Sequence, residues 1–372
     1  MSNEFNLIVG WRPISQTDHA CRKLSRAAEA SLKAKVCLDI KAYSTVVERL
    51  DQHGVQWKSA LAVDKWPNVI IGGTQGNVFF VNMQTNEVRK EEIGYPDLLG
   101  IHVYRDLLVI FEEARPAIIV DKDLKSKYTI NETLLTRYSS GYGAYSRGSQ
   151  VVGSILYFIT NSEKQLAVVD LENLDANLTE HDPKNSTVKP VLQEPKNISA
   201  FSIQKKGKNQ VVYTICTEGT IYKDQKVLVT NCVEVEDPKT SSLYYCCLSS
   251  NIDYLAVAFS FSSSKVGQFS LFTIQGKLLS TISLTSANCT RHMAFMPGLY
   301  VPVLMAVRPS TYIDFFYVSN GKYLVMLLES QEINEMQNGY IFGFRMLTES
   351  RKQIKLLTYG NRHLKSVTLK LP

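Results

Sequence analysis

Residues 50–90, LDQHGVQWKSALAVDKWPNVIIGGTQGNVFFVNMQTNEVRK, contain four strand-like segments separated by short turns. The first, WKSALAV, has a mixed pattern that suits a strand buried on most of both faces, and the next two, VII and VFFVN, are rich in β-branched or aromatic residues. Turn residues stand between them, and the fourth segment, EVRKE at 87–91, which ends one residue beyond the stretch, has the polar composition of an edge strand. The stretch therefore predicts one four-stranded antiparallel sheet of about forty residues, the size of a single repeat in a repeated β-architecture.

The same order of strands and turns returns along the rest of the chain. The second strand of each repeat starts near Asn68, Asp106, Ser154, Gln210, Asp253, Pro302 and Gly339. Starts at a spacing of about forty to fifty residues predict an all-β fold, a seven-bladed β-propeller of four-stranded antiparallel blades. The last repeat is the least regular, because residues 330–338 are too polar for an innermost strand. Residues 172–196, rich in polar residues and proline, predict a long surface excursion.

A short polar residue ends the third strand of three successive repeats. The segments VFFVN, AIIVD and LAVVD end at Asn82, Asp121 and Asp170. Asn and Asp side chains accept hydrogen bonds from nearby main-chain N–H groups and so stabilise turns. We therefore expect these residues to form the turn that follows each third strand.

Residues 50–90 also resemble a WD-repeat. His53-Gly54 stands, in reversed order, where that family has its glycine-histidine pair, and IGGTQGN at 71–77 resembles its small-residue turn. Val-Asn at 81–82 replaces the tryptophan-aspartate dipeptide, and Gln75 replaces the usual aspartate. The resemblance implies a propeller that binds proteins through its loops. It also implies that the ring is held by apolar packing between blades more than by repeated polar networks.

The N-terminal part of the chain does not repeat. We assign residues 1–43 to an extension with one helix and residues 44–372 to the propeller. Residues 17–35 combine good helix formers with an apolar face, which predicts the helix. Residues 44–50, STVVERL, are a candidate outer strand that would close the ring and remove an exposed edge. Whether the closing strand comes from the N-terminus or the C-terminus stays open.

Residues 21–40, CRKLSRAAEASLKAKVCLDI, resemble the C-terminal half of an F-box, although the proline-led first helix is missing. This resemblance implies an alternative function, a substrate receptor that docks a cullin-type ubiquitin ligase adaptor through residues 21–40. The other interpretation is a helix packed against the propeller.

Composition limits the compartment and the class of partner. The chain has 372 residues, 45% of them hydrophobic, and a net charge of +6, which is too mild to indicate nucleic acid. Seven cysteines without framework spacing favour reduced thiols, as in the cytoplasm or the nucleus. We find no N-terminal export signal and no apolar run long enough to span a bilayer.

Catalytic signatures are weak. The histidines are scattered without metal-ligand spacing, and no GxSxG motif occurs. We therefore predict no catalytic residue, cofactor or metal, with a propeller enzyme or small-ligand binder as an alternative. The first hypothesis is a non-enzymatic scaffold subunit that binds proteins within a larger assembly.

Propeller loops that lead from one blade to the next, or from the second strand to the third, share one face. Their Arg, Trp and Tyr residues are the types that dominate interface energetics. The predicted partner-binding residues on this face are Gln56, Trp57, Glu113, Arg115, Arg147, Arg291, Arg308 and Tyr312.

Overall fold

The computed structural model describes residues 37–42, 58–73, 76–93, 98–112, 115–134, 136–138, 144–146, 148–180, 186–207, 209–230, 232, 243–261, 266–285, 292–296, 302–307, 313–319, 321, 323–329, 341–350, 353–360 and 363–370. Within these residues the helices and strands are all β-strands, apart from one 3-10 turn at Leu174–Asn177. The all-β prediction is confirmed. The predicted helix at 17–35 and the predicted closing strand at 44–50 lie outside the described residues.

The first complete sheet is the one that residues 50–90 predict. The chain enters the described part with β1 (Cys37–Ala42), which joins a different sheet. The strands that follow are β2 (Lys58–Val63), β3 (Asn68–Gly73), β4 (Asn77–Asn82) and β5 (Glu87–Glu92), paired antiparallel in that order. Every residue of β3 after Asn68 is buried, whereas β5 alternates between exposed and half-buried residues. This gradient identifies β5 as an outer strand.

The polar residue at the end of each third strand forms the following turn, as predicted. Asn82 Oδ1 accepts hydrogen bonds from the main-chain N–H groups of Gln84 (2.9 Å) and Thr85 (3.0 Å). The corresponding aspartates, Asp121 and Asp170, also accept main-chain N–H bonds through Oδ1. The tight turns at this end of the sheets are therefore stabilised by side chains that the sequence identifies.

The second sheet begins like the first. Its strands are β6 (Leu98–Tyr104), β7 (Leu107–Glu112), β8 (Pro116–Asp121) and β9 (Ser126–Thr133). A separate hairpin of β10 (Thr136–Tyr138) and β11 (Ala144–Ser146) follows.

The third sheet is interrupted by an excursion. The next strands are β12 (Ser149–Val152), β13 (Ile155–Ile159), β14 (Leu166–Asp170), β15 (Leu178–Glu180), β16 (Ser186–Val188) and β17 (Val191–Gln193). The third sheet consists of β12, β13, β14 and β17, whereas β15 and β16 cross to the second sheet, where β16 pairs in parallel with β9. The excursion predicted at 172–196 thus contains strands that extend the second sheet to six and cover its outer edge.

The fourth, fifth and sixth sheets return to the simple order of the first. The fourth contains β18 (Ile198–Lys206), β19 (Asn209–Cys216), β20 (Ile221–Lys223) and β21 (Lys226–Val229). The fifth contains β22 (Leu243–Ser250), β23 (Tyr254–Phe261), β24 (Val266–Thr273) and β25 (Leu278–Thr285). The sixth contains β26 (His292–Phe295), β27 (Val303–Val307), β28 (Ile313–Ser319) and β29 (Tyr323–Glu329).

The last sheet combines both ends of the described chain. It contains β30 (Ile341–Ser350), β31 (Gln353–Gly360) and β32 (His363–Lys370), with β1 as its fourth and outermost strand. β1 pairs antiparallel with β32 along its whole length, from Cys37 opposite Lys370 to Ala42 opposite Lys365. The prediction that the last second strand starts at Gly339 is therefore wrong. Because β1 supplies the outer strand, the three C-terminal strands are the inner ones, and 330–338 need not form an inner strand.

The hydrophobic core lies between neighbouring sheets. Neighbouring sheets contact one another in chain order, through their inner strands except where β13 contacts β18, and β30 also contacts β2, so that the sheets form a closed ring. Each interface buries an apolar cluster: Phe111 and Phe158, for example, pack between the second and third sheets. Leu61 and Phe79 of the first sheet pack against Leu357 of the last. These clusters agree with a ring held chiefly by apolar packing.

Candidate functional site

The loop face is the side of the ring formed by the loops from second to third strand and the loops from one sheet to the next. Of the predicted partner-binding residues, the structure describes Arg115, which is exposed immediately before β8. Seven of the predicted residues lie outside the described part of the chain: Gln56, Trp57, Glu113, Arg147, Arg291, Arg308 and Tyr312. Their role on this face stays a prediction.

Main-chain hydrogen bonds tie the described loops of this face to one another. They join Asn161 N–H to Thr133 O (2.9 Å), Ile198 N–H to Lys164 O (2.7 Å) and Thr217 N–H to Asn197 O (2.9 Å). These bonds link loops of the second, third and fourth sheets. This part of the loop face is therefore braced by backbone contacts, so that little conformational entropy is lost there when a partner binds.

Side chains on the same face form polar contacts. Lys196 Nζ lies 2.8 Å from Glu163 Oε2, and Gln165 Nε2 donates to Glu194 Oε1 at 3.1 Å. The Lys196–Glu163 pair is solvent-exposed on both sides, and such pairs contribute little to stability. Between these residues, Lys164 presents an exposed cation. The described part of the loop face thus offers polar and cationic groups on a braced backbone.

Glu112 is buried three residues before the exposed Arg115. It is the last residue of β7 and is 1% exposed, and its Oε1 has no hydrogen-bond partner among the described residues. Burial raises the pKa of this carboxyl to about 7, and the positive charge of Arg115 opposes that rise. The carboxyl is therefore partly protonated at neutral pH.

Replacing Glu112 with glutamine should stabilise the protein, and more so at pH 8 than at pH 5. Because the folded-state pKa lies above the ordinary value, the contribution of Glu112 to stability is present at low pH and is lost as the pH rises through about 7. The gain in unfolding free energy from Glu112→Gln should be larger at pH 8 by roughly 2 kcal/mol. Denaturant unfolding of both proteins at the two pH values measures it. An equal gain at both values would contradict the burial of a titrating carboxyl here.

A cavity of about 540 Å³ lies at the centre of the ring. Its walls are formed by residues of β6, β12, β18, β22, β26 and β30, the inner strands of successive sheets, with Ala60 of β2. The cavity is therefore the central channel of the ring.

His102 and Ser149 form one polar pair on the channel wall. The two side chains approach to 2.8 Å between Nε2 and Oγ, and the imidazole packs edge-on against Phe111 with ring centroids 6.1 Å apart. Burial lowers the pKa of His102 to about 3, with a further contribution from the charge of Arg345. The imidazole is therefore neutral at physiological pH.

Arg345 joins the two sheets at which the ring closes. Its Nε donates to the main-chain oxygen of Leu61 in the first sheet at 3.1 Å, and its Nη1 donates to Phe344 O at 3.4 Å. The guanidinium thus lies at the junction of the last and first sheets and also lines the channel. The positive charge of Arg345 also contributes to the lowered pKa of His102.

Sequence reasoning missed the channel residues. The available signal is one polar residue within an apolar run: His102 in LLGIHVY, and Arg345 in the apolar first half of IFGFRMLTES. Ser149 carries no such signal. These residues come from the second, third and last sheets, and their convergence depends on the order and closure of the whole ring.

Structure and comparison give no support to the F-box resemblance. Residues 37–40, the end of that segment, belong to β1 and pair with β32. Docking an adaptor through all of residues 21–40 would require this strand to leave the sheet and expose the edge of β32. Residues 21–36 lie outside the described part of the chain.

Metal ligation and membrane insertion find no support in the described part of the chain. Among those residues, no group of three His, Cys, Asp or Glu side chains is placed to hold a metal ion. The same residues include no helix with the length and apolar character needed to cross a membrane.

Comparison with known proteins establishes the fold. No protein-family model and no curated protein matches the chain. The structure of U3-55K matches with a TM-score of 0.56 and 11% identity, covering 91% of this chain and 99% of that one. The N-terminal domain of Nup159 matches with a TM-score of 0.54 and 10% identity, covering 90% and 96%.

A chain of a Saccharomyces cerevisiae complex, in which Dbp5 is bound to Nup159 and Gle1, matches with a TM-score of 0.52 and 10% identity, covering 90% of this chain and 95% of that one. Identities this low carry the fold and nothing finer. These neighbours are β-propeller proteins, as predicted from residues 50–90. The chain therefore has a β-propeller fold.

Proposed function

We propose that this chain is a non-enzymatic protein-interaction platform, a propeller subunit that holds protein partners on its loop face within a larger assembly. We further propose that the ring has seven blades, one for each of the inner strands β2, β6, β12, β18, β22, β26 and β30.

The backbone bracing of the loop face is the observation that carries this proposal. Loops of three successive sheets are joined by main-chain hydrogen bonds, the shortest from Ile198 N–H to Lys164 O at 2.7 Å. A braced surface is suited to a large partner, because binding does not have to order mobile loops. Arg115 adds an exposed side chain of a type that is enriched at interfaces. One similar structure is itself that of a multi-protein complex.

We also propose a reducing compartment, the cytoplasm or the nucleus. Cys216 and Cys232 carry thiols that form no disulfide. Burial raises the pKa of both thiols to about 12, so that they stay protonated and unreactive. Such thiols are compatible with a reducing environment, where disulfides are rare.

Reversing charge on the loop face should remove partners that bind there. The test variant combines Arg115→Glu with Lys164→Glu, and its matched control combines Lys125→Glu with Lys226→Glu on the opposite face. All of these side chains are exposed, and both variants change the net charge equally. Quantitative affinity purification of the full chain should show at least a tenfold loss of specific partners in the first variant alone. Equal recovery with both variants, or selective loss with the control, would contradict the proposal.

A further inference from the structure

The central channel has the size of a small-molecule site. Its volume of about 540 Å³ falls within the roughly 300–1,000 Å³ that ligand pockets usually have. Its exposed wall is more polar than apolar, because serine, histidine and arginine side chains share it with apolar residues such as Leu99 and Phe201. A cavity of this size with convergent polar side chains is suited to a small polar ligand.

Among the described residues of the channel wall, the charge comes from a cation, Arg345. Arg345 lines the cavity, and no Asp or Glu is found among the described lining residues. His102, which lines the same cavity, is neutral because its pKa is lowered to about 3. The described wall therefore contributes a fixed positive charge with no carboxylate to balance it.

The guanidinium of Arg345 is held in place and still has donors to offer. Its bonds to Leu61 O (3.1 Å) and Phe344 O (3.4 Å) fix its position against the closing sheets. The remaining N–H groups meet no acceptor among the described residues. A planar guanidinium with adjacent free donors is suited to a carboxylate or a phosphate, which it can bind through two parallel hydrogen bonds.

A serine hydroxyl on the channel wall supplies a further donor. Ser249 is 6% exposed, and its Oγ accepts a hydrogen bond from the N–H of Phe295 at 3.0 Å. The hydroxyl proton of Ser249 has no acceptor among the described residues. Ser202 and Ser250 share one hydrogen bond, with their Oγ atoms 2.9 Å apart, which uses only one of their two hydroxyl protons. The channel thus combines an anchored cation with a buried hydroxyl that is free to donate.

We propose that the central channel binds a small organic anion, with the carboxylate or phosphate group of the ligand paired to the guanidinium of Arg345. The ligand supplies the negative charge that the described wall lacks, and the rest of the ligand contacts the polar and apolar side chains of that wall. This site is separate from the loop face. Failure of the channel to bind an anion would therefore leave the proposed platform function untouched, and the reverse also holds.

Isothermal titration calorimetry on the purified full chain at constant ionic strength tests the proposal. Glucose 6-phosphate and succinate are the phosphate and carboxylate probes, with glucose and 1,4-butanediol as their neutral counterparts. We expect at least one anion to bind with a dissociation constant of about 1 mM or lower, and the neutral compounds not to bind. The anion that binds more tightly identifies the class. Failure of both anions to bind the wild-type chain would overturn the proposal.

Substitutions of channel residues test whether the anion binds beside Arg345. Arg345→Gln should lower the affinity for the tighter-binding anion at least tenfold. Lys125→Gln, which removes one exposed charge elsewhere, should leave that affinity unchanged. Because Arg345 also joins two sheets, Ala294→Asp is the second test. Ala294 lines the channel and is half-buried, and an aspartate there places a negative charge in the cavity while keeping Arg345. Wild-type affinity in Ala294→Asp, or equal weakening by Lys125→Gln and Arg345→Gln, would contradict the assignment.

Discussion

A chain that starts at Tyr43 should be far less stable than one that starts at Cys37. The two differ by the residues of β1, which pairs along its full length with β32 and completes the last sheet. Loss of these main-chain hydrogen bonds, at about 1 kcal/mol each, should lower the free energy of unfolding by roughly 3–6 kcal/mol. It should also expose the edge of β32 and promote aggregation.

The comparison between the two truncated chains isolates the strand, because both lack residues 1–36. Thermal unfolding and size-exclusion chromatography measure the difference. We expect the chain starting at Tyr43 to melt at least about 8 °C lower and to elute partly as aggregates. Equal melting temperatures would show that β1 does not close the ring.

Phe158→Ala should strongly destabilise the contact between the second and third sheets. Phe158 is fully buried between them, and its ring centroid lies 5.2 Å from that of Phe111. Truncation removes a large apolar surface and leaves a cavity that closely packed sheets cannot fill. The expected loss is about 3–5 kcal/mol in unfolding free energy, measured by denaturant titration.

Leu278→Ala provides the matched control for that experiment. Leu278 lies in β25 and is 53% exposed, so its truncation should change the unfolding free energy by less than about 0.5 kcal/mol. A loss of the same size for both variants would contradict the view that packing between sheets holds the ring together.

Local patterns in the sequence predict the sheets well where one sheet comes from one continuous segment. The turn-forming roles of Asn82, Asp121 and Asp170 follow from residue type and position alone. The last sheet is harder to predict, because its outer strand comes from Cys37–Ala42 and its other strands from the C-terminal end. A pairing over so long a sequence separation leaves no local signal, and a local pattern therefore misplaces the inner strands of that sheet.

The two candidate sites also differ in how far the sequence alone predicts them. Loop-face residues such as Arg115 can be proposed once strands and loops are counted, because propeller topology places those loops together. The channel group of His102, Ser149 and Arg345 requires knowledge of which side of each inner strand faces the axis. It also requires the ring to close, since Arg345 is anchored to Leu61 across that closure.

Site-specific photo-crosslinking tests the central claim, partner binding through the loop face, most directly. A photoreactive amino acid is placed at one exposed position per chain, either on the loop face, at Arg115 or Glu218, or on the opposite face, at Lys125 or Asp253. After irradiation in cells, mass spectrometry identifies the adducts. We predict that the same partner is crosslinked from Arg115 and Glu218 and not from Lys125 or Asp253. Adducts formed only from the opposite face would contradict the claim.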